Sequence, residues 1–428
     1  MAEYDAVVVG AGLLGLSTAY YIKKMKPEKR VIVVDKMSAA GQGNTAKSAA
    51  MFRSFFYSQT NLALVDTTIE CFKHVQKDLG VDLKLKWVGY LWLFSNEDYR
   101  WAEPVLKVMA ERGLEYKVYD AHELSEKLKL RTHVTKDEDS KLMGLADVDV
   151  GILIPKAGAI DIDSLVNFYE TEFKRLGGEV RYNTKVESII VEPHEPLGIP
   201  SEPYFWQDST ASGINTDRGV IKAKKTVVAA GAWTAALLDS VGVDVHIKPR
   251  KRQLFSVRAD TDALRELLWA KGFNPEGCMP FTVLPKPRVY LKPALEENAF
   301  WFSYGDEFPR AFKLEDEPQP EENYYQYGIY QVAIKYFPQF AGSQPFTSWA
   351  GQYAINTLDG QPVIFEENNL LVVGGASGSG NMKADAIGRI AASLYAGEEY
   401  AVLYGDKKFK VSDLSITQRR VEPEKLII

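Results

Sequence analysis

AVVVGAGLLG, residues 6–15, decides the fold. Ala6-Val7-Val8-Val9 is a short apolar run of β-formers, the pattern of a strand buried on both faces. Gly10-Ala11-Gly12-Leu13-Leu14-Gly15 follows at once, and Leu16 to Met25 then places Leu16, Ala19, Tyr20 and Ile22 at helical spacing. Pro27-Glu28-Lys29-Arg30 makes an exit loop, and Val31-Ile32-Val33-Val34 is a second buried strand closed by Asp35. Strand, glycine turn, helix and strand within roughly 30 residues form a βαβ unit. A lone GxGxxG means little, but this one follows a strand, opens a helix and has an acid at the end of the next strand, which completes the dinucleotide fingerprint. Gly10 permits the tight turn, Gly12 lets backbone approach a pyrophosphate, and Gly15 lets helix pack on strand. The helix N-terminus offers free N–H donors and positive potential, and Asp35 accepts hydrogen bonds from a ribose hydroxyl. The plain alternative is a structural glycine turn.

Working outward, similar signals recur. Asp161 to Gly177 reads as a capped amphipathic helix leading into Glu179–Tyr182 and Val186–Val191. Thr226–Ala230 is a strand that breaks at Gly231 before a helix from Trp233 to Leu238, and Leu370–Val373 breaks at Gly374-Gly375 before a helix over 381–395. Between them, Leu83–Phe94 and Phe281–Ser303 are rich in aromatic and β-branched residues and read as antiparallel strands. Gln319–Tyr336 reads as a helix and His194–Arg218 as a long loop. The expected architecture is α/β: a Rossmann-like dinucleotide domain of the glutathione-reductase type, with a second, antiparallel-sheet α+β domain. The first is discontinuous, over residues 1–80, 158–240 and 350–428; the second takes 81–157 and 241–349. The Gly/Ser/Ala-rich stretch Gly41–Ala50 and the three returns at 185–191, 228–233 and 373–383 suit a long cofactor touched by separated segments, which favours FAD over NAD.

Composition narrows the class. The 428 residues are 46% hydrophobic and 25% charged, as in ordinary globular chains. With 51 basic and 57 acidic residues the net charge is -6, so no basic surplus points to nucleic acid. Cys71 and Cys278 have no metal-type spacing and read as reduced thiols of a cytosolic protein. No apolar run reaches the ~18 residues of a membrane span, and the N-terminus lacks the basic region of a signal peptide.

VVVGAGLLGLSTAYYI with Asp35, the loop through Ser48 and Arg53, VVAAGAW at Val227–Trp233 and VVGGASGSGNMKADAIG at Val372–Gly388 together resemble the D-amino-acid-oxidase-like flavoproteins, the group with sarcosine and glycine oxidases. MFRSFFYSQTN, GYLWLF, EDEPQPEENYY, SWAGQY and the tail KVSDL are similar to the archaeal dye-linked dehydrogenases of that group, which act on L-lactate or L-proline. The resemblance implies an FAD contact set of Gly10, Gly12, Leu13, Leu14, Gly15, Asp35, Lys36, Ser48, Ala49, Ala50, Val186, Ala230, Gly231, Trp233, Gly351, Gly378, Gly380, Asn381, Met382 and Lys383. Relatives with covalent flavin carry a cysteine just before the motif that here begins Gly351-Gln352-Tyr353, so the glycine implies non-covalent FAD. Oxidases of the group place a lysine against the flavin; Phe300–Tyr304 offers aromatics there, which implies a dehydrogenase.

For the substrate, the family pattern implies Lys383 as the carboxylate clamp, Tyr353 beside the substrate and Arg53 near the flavin ring. A surface lysine, a core tyrosine and an ordinary ion-paired arginine are the bland alternatives. A cation at a helix N-terminus is electrostatically unfavourable, which argues for a functional reason at Lys383. Trp233, Trp301, Tyr304 and Trp349 are candidate pocket walls. His74, His122, His133, His194 and His246 fall outside the motifs, which counts against a histidine base for a hydroxy acid. The expected activity is FAD-dependent oxidation of a small α-substituted carboxylic acid by Cα hydride transfer. L-Lactate leads, with L-proline or another amine substrate of the amino-acid or sarcosine type as the alternative. Electrons would pass to a quinone or carrier protein. The expected protein is cytoplasmic, at most peripheral to a membrane, and a possible homodimer. An electron-transfer subunit of a larger complex and an NAD-dependent reductase remain the readings of other classes.

Overall fold

In the computed structural model, which describes residues 3–425, β1 (Tyr4–Val9), α1 (Leu13–Met25) and β2 (Val31–Val34) form the expected unit. β1 pairs in parallel with β2 on one side and with Gly219–Val228 on the other. The parallel ladder extends to Leu370–Gly374 and, past β2, to Glu179–Arg181. Val363–Glu367 adds an antiparallel edge. The two faces of this sheet are covered differently. Ala6, Val8 and Val33 pack with α1 and the helices Ile162–Arg175 and Ala384–Tyr395. Val7, Val9, Ile32 and Val34 pack against Ile214, Ile221 and Ala223, which belong to an antiparallel meander of Val186–Pro193, Ser209–Thr216 and the start of Gly219–Val228. Both faces are therefore dry, as an all-Val/Ile strand requires.

α1 and the helix Ala384–Tyr395 meet through a polar tie. Asp385, fully buried, accepts hydrogen bonds from Tyr21 and Cys71 and pairs with Arg389 at 2.7 Å. A buried carboxylate persists only when it is paired in this way.

The second sheet has eight strands, ordered Pro345–Asn356, Ile247–Arg258, Ala299–Ser303, Tyr290–Ala294, Phe281–Val283, Tyr90–Phe94, Val150–Ile154 and Lys117–Asp120. Its register sets the site: Lys292 lies opposite Trp301, Tyr290 opposite Ser303, and Tyr353 opposite Arg250. The expected α/β class with a second sheet agrees with this architecture.

Three expectations are corrected. Ser209–Thr216, read as loop, is a strand; its small polar residues hide an alternation in which Ala211, Gly213, Ile214 and Thr216 turn inward. Phe281–Val283 pairs with Tyr90–Phe94 in parallel, because the two segments are far apart in the chain and need no hairpin. The helix read from Gln319 starts its regular turns only past Pro320, and Tyr324–Ile329 is wound as a wide π-type stretch before Tyr330–Tyr336.

Candidate functional site

β1, β2, Gly219–Val228 and Leu370–Gly374 end at one edge of the parallel sheet, and the chain direction of strand addition reverses at β1. Open α/β sheets bind ligands at such a switch point. A cavity of about 480 Å³ opens there, lined by segments around 9–14, 34–48, 184–187, 229–237, 314–316, 352–354 and 374–381.

The glycine turn builds its floor. Gly10 has φ +109°, and a Cβ on it would stand 2.5 Å from the Ala229 carbonyl. α1 begins at Leu13, after Gly12, which has no side chain to cap it; Leu13 N–H donates to Thr45 Oγ1 at 3.3 Å, and the helix N-terminus, with roughly half a positive charge, lies at the cavity. Asp35 accepts N–H bonds from Ala11 at 2.6 Å and Met37 at 2.8 Å, which hold its carboxylate at the cavity edge. Asn44 lines the cavity, and its buried Nδ2 has no partner among the described residues. A helix N-terminus at the glycine turn, an orphaned amide donor and an acid after β2 fit a dinucleotide. The many separated segments fit a long one such as FAD.

Of the residues expected to touch cofactor, Gly10, Gly12, Leu13, Leu14, Asp35, Lys36, Ser48, Val186, Ala230, Gly231, Trp233, Gly378, Gly380 and Asn381 line this cavity, as does Tyr353. Gly15, Ala49, Ala50, Gly351, Met382 and Lys383 do not. Gly15 instead seats α1 against Gly10, whose carbonyl would be 1.9 Å from an added Cβ. Gly351 lies against Lys47. Asn44, Thr45 and Lys47 belong to the Gly41–Ala50 stretch expected at the cofactor, whereas Gln352, Leu314 and Asp316 are outside the expected contact set. The last two come from a segment that crosses the mouth, where Asp316 pairs with Lys36 at 2.7 Å and accepts from Trp233 Nε1 at 2.9 Å. Nothing local in the sequence marks that crossing.

At the other end, Asn381 Nδ2 donates to Ser48 Oγ at 2.8 Å. Gly378 has φ +88° and lets the Tyr353 ring lie where a Cβ would be 2.3 Å from it. Two cations, Arg53 and Lys383, gather around Phe56. Lys383 is 1% exposed; its Nζ donates to Asn61 Oδ1 at 2.5 Å and Ser379 Oγ at 2.6 Å. The Phe56 ring lies 4.8 Å from Lys383 Nζ and 4.7 Å from the Arg53 guanidinium. Burial, with Arg53 nearby, pushes Lys383 down to about 7, and Glu424 partly offsets this. Burial also lowers Arg53, against the opposing influence of Tyr90, Glu424 and Tyr353. Neither cation forms an ion pair among the described residues. Two basic groups thus meet at one aromatic ring, with the Glu424 carboxylate acting on both.

A further residue escaped the sequence reading. Lys292 is 6% exposed and stacks its Nζ 3.8 Å from the Trp301 ring. It lines a second cavity of about 300 Å³. The stretch Phe300–Tyr304 itself carries no lysine, yet strand register brings one onto it from the neighbouring strand. Trp233 lines the first cavity and Trp301 the second, while Trp349 donates to the Lys47 carbonyl at 3.1 Å. No histidine lines either cavity. Among the described residues there is no group of ligands for a metal ion and no helix long and apolar enough to cross a membrane.

Comparison with known proteins agrees with this geometry. The family model described as DAO, FAD dependent oxidoreductase, matches residues 5–394. The FAD-dependent oxidoreductase domain-containing protein 1 of Xenopus laevis is 22% identical over 425 residues, covering 91% of this chain and 78% of that protein. The L-2-hydroxyglutarate dehydrogenase of Indibacter alkaliphilus is 20% identical over 347 residues, covering 78% and 77%. Among solved structures, the L-proline dehydrogenase from P. horikoshii superposes with a TM-score of 0.73 at 20% identity, covering 96% of each chain.

Proposed function

Because the chain belongs to the DAO family of FAD-dependent oxidoreductases, we propose that it is a dehydrogenase oxidising a small α-substituted carboxylic acid, with L-lactate first among the candidates. The observation that carries the reading is the pair of cations at the Phe56 ring, the fully buried Lys383 and the half-buried Arg53, with Lys383 bonded to Ser379 in the loop 377–381 that borders the cofactor-sized cavity.

FAD bound in the cavity would supply the two-electron acceptor for the Cα hydrogen. The chain's own residues do the rest. α1, Asn44, Asp35 and the 374–381 loop hold the cofactor. Arg53 and Lys383 grip the carboxylate through charge-assisted bonds, each worth ~1.5–3 kcal/mol. Tyr353 orients the substrate between that grip and the cavity, so that much of the rate comes from positioning. Phe56, Tyr90 and Tyr290 keep water out. The hydroxyl proton of a hydroxy acid is relayed through the Tyr353 hydroxyl, which releases its own proton to water in the cavity as it accepts the substrate's. Neither cysteine lines either cavity and Gly351 stands before Tyr353, which supports non-covalent FAD. A quinone or carrier protein takes the electrons on. On the same reading, the discontinuous division into cofactor and substrate domains follows the two sheets.

L-Proline is the second reading. The absence of histidine from the cavities favours it, since a neutral amine needs no base to lose hydride. Anaerobic titration decides between them. The purified protein is expected to be yellow and to bleach with L-lactate. Bleaching by L-proline alone selects the second reading. A colourless protein, or one that no carboxylic acid bleaches, sinks both.

A further inference from the structure

We infer that Glu424, carried by the C-terminal tail, is the positioning residue for Lys383: through the side-chain amide of Asn61 it fixes the acceptor that holds the lysine's ammonium. This rests on the proposed carboxylate grip for its purpose, and names the group that keeps one half of that grip in place.

The tail is tied down at successive residues. Arg419 makes a two-pronged pair with Asp359, both bonds at 2.6 Å. Gln361, fully buried, donates from Nε2 to the Glu422 carbonyl at 2.7 Å and accepts from Ser58 Oγ at 3.0 Å. The Glu422 side chain pairs with Arg112 at 2.9 Å and accepts the Gln59 N–H at 2.7 Å. Lys425 Nζ donates to the Tyr57 hydroxyl at 2.9 Å. These ties deliver Glu424 to the start of the helix Gln59–Lys77. Its carboxylate accepts the Tyr57 N–H at 2.7 Å and the Ser58 N–H at 3.4 Å, at the end of the helix where the dipole favours an anion. Asn61 stands in the first turn of that helix and is 3% exposed.

A carboxylate only accepts hydrogen bonds and an ammonium only donates them. An amide between the two has one orientation that satisfies both. Asn61 takes it: Nδ2 donates to Glu424 Oε2 at 3.3 Å, and Oδ1 accepts from Lys383 Nζ at 2.5 Å. Reversed, the amide would set N–H against ammonium and carbonyl against carboxylate, and a buried polar group left unmet costs ~1–3 kcal/mol. The other partner of Lys383, the Ser379 hydroxyl, both donates and accepts and so imposes no such order. With two of the three ammonium N–H bonds placed by Asn61 and Ser379, one remains for a substrate carboxylate. Charge works in the same direction. Burial and Arg53, from the strand Met51–Arg53, push Lys383 towards the neutral amine, and Glu424 opposes them. Asn61 and Ser379 are neutral, and Phe56 presents only its ring. The neighbouring cations Lys425 and Arg112 are engaged with Tyr57 and Glu422.

The test reads Lys383 itself in the full-length protein as purified, with no substrate or inhibitor present, so failure of the lactate or proline assignment leaves it intact. Carbon-13 is placed at the lysine ε-carbons, and the Lys383 resonance is identified by its loss in Lys383→Arg. Its chemical shift should titrate near pH 7 in the wild type. In Glu424→Gln, which keeps the size but loses the charge and lets the Asn61 amide turn over, the midpoint should fall by about one pH unit, a tenfold change in the ionisation equilibrium. A chain ending at Pro423, which keeps Arg419 and Glu422, should show the same fall and serves if the glutamine variant does not fold. Lys425→Met, which loses a tail cation, should leave the midpoint in place or raise it. An unchanged midpoint in either Glu424 variant overturns the inference. An equal fall in Lys425→Met also overturns it, because the effect would then belong to docking of the tail and not to the Glu424 carboxylate.

Discussion

Lys383 and Arg53 differ in how they answer to pH. Lys383 is held near pH 7 by burial, with Arg53 adding to the effect, whereas an exposed lysine titrates near ~10.4. Its ammonium is the form that binds a carboxylate. Below pH ~7 the grip is complete, and above it each pH unit should weaken binding by up to about tenfold until the lysine of the complex itself titrates. Arg53 supplies a grip that pH leaves alone. The dissociation constant of a non-reacting carboxylate inhibitor should therefore rise with pH above ~7 in the wild type. In Lys383→Met it should be flat and roughly 10–100-fold higher, the equivalent of one charge-assisted bond. A turnover rate that climbs through pH ~7 at constant affinity would instead make Lys383 the proton acceptor. Its identity as a candidate was legible in Val372–Gly388. Its burial against Asn61 and Ser379 was not, because those partners come from another helix and from the loop's own turn.

At the scale of elements, the segment 313–316 closes the cavity mouth. Gln352, in the long strand Pro345–Asn356, donates from Nε2 to the Lys313 carbonyl at 2.6 Å and accepts from Glu315 N–H at 3.2 Å. Asp316 then reaches across to Lys36 and Trp233. The Asp316 carboxylate is 77% exposed, so the pair contributes at most ~1 kcal/mol to stability. Its position over the opening matters more. Asp316→Ala should leave the melting temperature almost unchanged and speed FAD release several-fold, read by the recovery of free-flavin fluorescence after dilution. Gln352→Ala, which leaves two backbone groups without their partner, should speed it further. Equal release from all three proteins would remove the segment from cofactor retention. The strands and helices with strong apolar runs were legible; this segment was not, because its role lies in what it spans rather than in any period of its own.

Over the whole molecule, the cofactor cavity exists only when distant parts of the chain assemble, so FAD binds the folded state and not the unfolded one. At a hundredfold excess over its dissociation constant, that adds about 2.7 kcal/mol. Urea midpoints should rise with added FAD and fall after flavin removal. Acid precipitation should leave the yellow colour in the supernatant; flavin retained in the pellet would contradict non-covalent binding. β1, the glycine turn, α1 and β2 could be read directly from the chain, as could the strands at 226–228 and 370–373. In each, periodicity and glycine placement act within a dozen residues, and backbone sterics leave few alternatives. Ser209–Thr216 escaped because a strand of small polar residues gains its identity from its neighbours. Local sequence thus determined the dinucleotide turn and the buried parallel strands. Only the tertiary structure decided that Lys292 lies on Trp301, that Arg53 and Lys383 share one aromatic box, and that Asp316 spans the opening. Those pairings join residues up to hundreds of positions apart, and strand register and helix docking, which no short window of sequence encodes, set their distances.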